Sequence, residues 1–77
     1  MSEFPRLTRN PNVMTGKVCI RGMRITVEMI LGQLADGVTI DELLNDYSIL
    51  VREDILEAIR YGSWLASGRE VDLAEAS

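Results

Sequence analysis

Gly16-Lys17-Val18-Cys19-Ile20-Arg21-Gly22-Met23-Arg24-Ile25-Thr26-Val27 is the stretch on which the fold of this chain turns. Basic residues at 17, 21 and 24 alternate with apolar ones at 18, 20, 23 and 25, and Gly22 interrupts the run. That period of two is the pattern of a half-buried strand pair joined by a glycine-containing turn. The stretch ends at Thr26, a residue that caps helix N-termini well, and the period changes to that of a helix beyond it. Extended chain hands over to a helical body at this point.

Upstream, Arg6-Leu7-Thr8-Arg9 is a short strand candidate and residues 1–5 are expected to be loose. Asn10-Pro11-Asn12 supplies turn chemistry, because proline pushes Asn10 away from helical geometry and asparagine tolerates turn geometry. Downstream, three helices share one grammar. Thr26 as N-cap places Ile25 and Ile30 at the two positions of a hydrophobic staple. Thr39 as N-cap places Val38 and Leu43 there, and Glu42 at N3 completes a capping box. Val51 in the third cap position puts Leu50 and Ile55 at the staple and Asp54 at N3, but valine has no side-chain acceptor for a backbone N–H.

The expected helices are 27–36, 40–47 and 52–66, with Gly37 ending the first. Their inward residues are expected to be Val27, Ile30, Leu31 and Leu34, then Ile40, Leu43, Leu44 and Tyr47, then Ile55, Leu56, Ile59 and Leu65. Past Ser67-Gly68 the helical period stops. The reading is a single domain over 1–77, mainly α. A β element spans 6–25, a three-helix body of helix-turn-helix proportions spans 26–67, and the segments 1–5 and 68–77 are expected to be flexible.

With 77 residues, a single core is only marginally sufficient, and a second copy would bury surface that one copy cannot; a homodimer is expected. One cysteine and no histidine exclude an internal disulfide and the usual zinc sites. Cys19, between two apolar residues, is expected to be a buried packing residue. No apolar run approaches the roughly 20 residues of a membrane span, and the N-terminus has no apolar signal core, so a cytoplasmic protein is expected. The net charge of −4 is unevenly placed: residues 1–24 carry net +4 and residues 25–77 net −8.

Enzymatic chemistry has little to work with, and neither a catalytic residue nor a cofactor or metal ligand is identified. There is no imidazole base. Asp41-Glu42, Glu53-Asp54 and Glu57 fall in helix first turns, where carboxylates favour the macrodipole. Nucleic-acid binding has more support in the residues. The second and third helices have the proportions of a helix-turn-helix, whose third helix would enter a groove. That helix opens with Arg52, Glu53, Asp54 and Glu57, a poor match to phosphate. The candidate contacts are therefore Arg6, Arg9, Lys17, Arg21 and Arg24 of the β element, with Arg52. The same arginines would equally serve as a solvated face or as ion-pair partners of the acidic helices. Tyr61, Trp64 and Leu65 are candidates for a protein interface, or for closing the base of the core.

The opening stretch resembles the signature of a family catalogued as a domain of unknown function, DUF433, which reads Gly-Lys-Pro-Cys-Ile-Arg-Gly-Thr-Arg-Ile-Thr-Val. Ten of its twelve positions match, with Val18 in place of proline and Met23 in place of threonine. Asn10-Pro11, Asp36-Gly37 and Glu53-Asp54-Ile55 also fall where the family has comparable residues, and Val51 stands where it usually has threonine. The resemblance covers about residues 6–66. It implies a homeodomain-like three-helix fold and, by association, the role of an antitoxin in a toxin–antitoxin module, neutralising a PIN-type nuclease and binding operator DNA. The alternative is an oligomerisation or protein-interaction module without DNA activity.

Overall fold

A computed structural model describes residues 3–68. Strand β1 (Leu7–Arg9) leads through a turn at Met14–Gly16 into β2 (Val18–Ile20), followed by helices α1 (Val27–Ala35), α2 (Ile40–Asp46) and α3 (Arg52–Ser67). The architecture is mainly α, with a two-stranded antiparallel sheet ahead of three helices. Leu7 lies opposite Ile20, Thr8 opposite Cys19 and Arg9 opposite Val18.

The main partner of β2 is therefore β1, and the strand pair expected within 16–27 is reduced to a short return. In it the Ile20 N–H donates to the Ile25 carbonyl at 2.9 Å, and Cys19 bridges Thr26. All three β2 residues are buried, so the expected half-buried alternation does not hold there. The strand lies between β1 and the return limb and packs against α1, which leaves it no solvent face. The turn into β2 carries three successive positive φ angles, at Met14, Thr15 and Gly16, of which only the last suits glycine's freedom.

The helix starts follow their chemistry. The Thr26 hydroxyl accepts from the Met29 N–H at 3.0 Å, and Ile25 and Ile30 are both buried. Thr39 and Glu42 form a reciprocal capping box, each bond 3.1 Å long. Hydrogen bonding from the Thr39 backbone N–H, and then from its side chain, holds the Glu42 carboxyl below its usual range. At α3 the Val51 side chain makes no cap bond, and half a box remains: the Val51 N–H donates to Asp54 Oδ2 at 3.0 Å.

The core draws on every element, from Phe4 and Leu7 through Ile20, Ile30, Leu43 and Leu50 to Ile55, Ala58 and Tyr61. Phe4 is only 8% exposed, so the expected loose segment 1–5 is tied down at least at Phe4. Helix α1 packs on α3 closely enough that a Cβ on Gly62 would stand 2.9 Å from Leu31 Cδ1. The inward face of α3 is turned relative to the expected one. Asp54, Ile55, Glu57, Ala58 and Tyr61 are buried, Leu56 is half-buried and Ile59 is exposed. The expected inward face counts apolar residues alone, and the buried carboxylates of Asp54 and Glu57 turn the helix so that Ile59 faces out. Among the described residues no helix is long and apolar enough to cross a membrane. The expected flexibility of 68–77 falls, beyond Gly68, outside the described residues.

Candidate functional site

Asp54 is the electrostatic centre of the molecule. Its side chain is fully buried and accepts from Arg6 Nη1 at 3.1 Å, Arg21 Nε at 3.0 Å, Arg21 Nη2 at 3.0 Å and the Val51 N–H. Arg21 thus grips the carboxylate with a two-pronged fork, the strongest geometry for such a pair. Its Nη2 also donates to the Ile49 carbonyl at 2.7 Å, in the turn between α2 and α3. Beside this cluster the buried Glu57 accepts from the Arg6 backbone N–H. The β element is thereby bolted to the start of α3 by hydrogen bonds spanning 33 to 51 residues of sequence.

The titration of Asp54 reflects two opposed causes. Burial alone would push its carboxyl upward, but bonds from Arg21, the Val51 N–H and Arg6 outweigh that and hold it below the ordinary aspartate value. The same contact with Asp54 raises the Arg21 guanidinium. Among the described residues no buried side-chain polar atom lacks a hydrogen-bond partner.

The six basic residues singled out in the sequence separate into three groups. Arg6 and Arg21 are held on Asp54. Lys17 pairs with Glu28 at 2.7 Å on the surface, and its bond and charge lower the Glu28 carboxyl. Arg9, Arg24 and Arg52 are exposed and make no ion pair among the described residues.

The aromatic candidates separate as well. Tyr61 is buried, edge-to-face with Phe4 at 5.3 Å between ring centres. Trp64 lies 5.8 Å from Phe4 and 5.9 Å from Tyr61 yet remains 52% exposed. Leu65 is half-buried and lines a groove of about 410 Å³ together with Val18, Val27, Leu31 and Tyr61.

A further surface was not foreseen in the sequence. Ile49 and Val51, in the turn before α3, and Ile59 on α3 are exposed apolar side chains. The spacing of Arg52, Leu56 and Ile59 sets them on one outward face of α3. Arg60 follows, 3.8 Å from Glu57. This outward face carries apolar side chains together with charge.

Fold and site together define a mainly α protein, two antiparallel strands ahead of three helices, whose β element is locked onto its third helix by a buried carboxylate. The family model described as "Protein of unknown function (DUF433)" matches residues 7–62, and the chain belongs to that family. The matched span takes in Arg21 and Asp54 and stops before Trp64 and Leu65. Among solved structures, a DUF433 member protein from Anabaena variabilis ATCC 29413 is similar at 28% identity with a TM-score of 0.76. The match covers 82% of this chain and 62% of that one, so the present chain spans less than two thirds of its relative's length. A search of curated proteins found no significant match.

Proposed function

We propose that this is a non-catalytic, cytoplasmic binding protein of the antitoxin type, which silences a PIN-type nuclease by covering part of its surface. The observation that carries this reading is the exposed apolar group Ile49, Val51 and Ile59 on the outward side of the α2–α3 unit. An apolar patch rimmed by charges of both signs suits a protein partner better than phosphate, whose recognition needs concentrated positive charge. The acidic C-terminal part of the chain, net −8 over residues 25–77, adds attraction to a basic nuclease surface. Resemblance to the family supplies the partner class.

The test is to titrate the protein into an RNA-cleavage assay of the PIN-type nuclease encoded beside it. Stoichiometric inhibition is expected, and Ile59→Glu should weaken it by roughly tenfold or more, the loss of a modest interface anchor. Inhibition unchanged by Ile59→Glu removes this surface from the interface, and no inhibition at any ratio ends the antitoxin reading.

Arg9 and Arg24, exposed and outside any ion pair among the described residues, favour a second role in operator binding. Arg9→Ala with Arg24→Ala should then reduce the salt slope of binding to its own upstream duplex by about two. A slope that stays the same excludes them.

A further inference from the structure

Two features of the last turns of α3 belong neither to the Asp54 centre nor to the α2–α3 patch. One is the groove of about 410 Å³, whose walls are Val18 of β2, Val27 and Leu31 of α1, and Tyr61 and Leu65 of α3. The other is Trp64, which stands between Tyr61 and Leu65 in sequence and leaves half its surface in water. We propose that this groove is the docking site for a second copy of the chain, each copy laying Trp64 into the groove of the other.

Size and chemistry agree with that occupant. The volume lies within the range of pockets that take an organic ligand, roughly 300–1,000 Å³, and has room for an indole ring. The walls are apolar side chains, and tryptophan is the residue most enriched among interface anchors. Phe4 and Tyr61 back the indole from one side, so less side-chain freedom is lost when it docks.

Symmetry and charge favour a like partner over an unlike one. Anchor and groove share one end of α3, so a two-fold axis near Leu65 would bring each Trp64 toward the other copy's groove, a self-complementary contact. The groove is rimmed by Lys17 and Glu28, 53% and 73% exposed and 2.7 Å apart. A two-fold copy would bring its own Glu28 toward Lys17 and its own Lys17 toward Glu28. A partner of one dominant charge would face one attraction and one repulsion at the same rim.

Trp64 is the single tryptophan of the chain, so its fluorescence reports the proposed contact directly. Sedimentation equilibrium and Trp64 emission would be followed on the same samples from nanomolar to high micromolar concentration. A monomer–dimer equilibrium is expected, with emission moving to the blue and iodide quenching falling over the same concentration range. Trp64→Ala should weaken self-association by roughly 30-fold or more, as for an aromatic hot spot. Leu31→Glu, which keeps the fluorophore and charges the groove, should leave a monomer with red emission, its helix content checked by circular dichroism. A dimer whose Trp64 stays open to iodide overturns the proposal, as does a Trp64→Ala dimer of unchanged strength. A monomer at every concentration with Trp64 already shielded also overturns it, since the indole would then be covered within one chain.

Discussion

Replacing Asp54 by asparagine tests the buried carboxylate at nearly constant volume. Oδ1, which accepts from Arg6 Nη1 and Arg21 Nε, can be kept as the amide oxygen. Oδ2, which accepts from Arg21 Nη2 and the Val51 N–H, becomes an NH2 group facing two donors. Breaking a buried ion pair by removing one partner costs about 3–5 kcal/mol. The side chains of Arg6 and Arg21 are 36% and 40% exposed, so the released guanidinium groups regain water, and the lower end, about 3 kcal/mol, applies. For 77 residues the whole stability is about 4–12 kcal/mol, so a large share would go. At about 4–8 °C per kcal/mol for a domain of this size, Tm should fall by roughly 12–24 °C.

The assay is thermal and urea unfolding by circular dichroism, with wild type and Asp54→Asn compared across pH. The folded-state pKa of Asp54 is depressed, so its contribution is fully present above the unfolded value of about 3.9 and is lost as pH falls through the folded one. The gap between the two proteins should hold constant from neutral pH to about 5 and shrink below about 4. A Tm loss under about 4 °C, or a gap indifferent to acid, would refute the assignment of Asp54 as the charge that locks β1 and β2 onto α3.

Two further changes probe the helices. Val51→Thr supplies the side-chain cap acceptor that valine lacks, beside the 3.0 Å bond the Asp54 N–H already makes to the Val51 carbonyl, and should add about 0.5–1 kcal/mol, read as a higher urea midpoint at unchanged slope; no shift means the side-chain cap is not formed there. Gly62→Ala gains about 1 kcal/mol of helix propensity and loses about 1–3 to overpacking against Leu31, so a small net destabilisation is expected. Combining it with Leu31→Ala should give a double variant about 1 kcal/mol more stable than the single effects sum to; strict additivity would place the methyl group elsewhere.

Local chemistry made the body of this fold legible in sequence. Thr26, Thr39 and Glu42 act within three residues of themselves, so the helix starts, both hydrophobic staples and the capping box could be read without knowing the neighbours. The twelve-residue signature likewise located the β element and its family. The pairing of β1 with β2, the burial of Phe4 and the rotation of α3 needed tertiary contacts. Asp54 and Glu57 carried an ordinary first-turn reading, and only the arrival of Arg6 and Arg21 from 33 to 51 residues away makes burying them favourable. Once those carboxylates face inward, Ile59 must face water, which turns a core position into a surface one. Sequence by itself determined where each helix begins, because caps are short-range. Only the folded structure decided which arginines hold the molecule together and which stay exposed, because that choice depends on where distant charges meet.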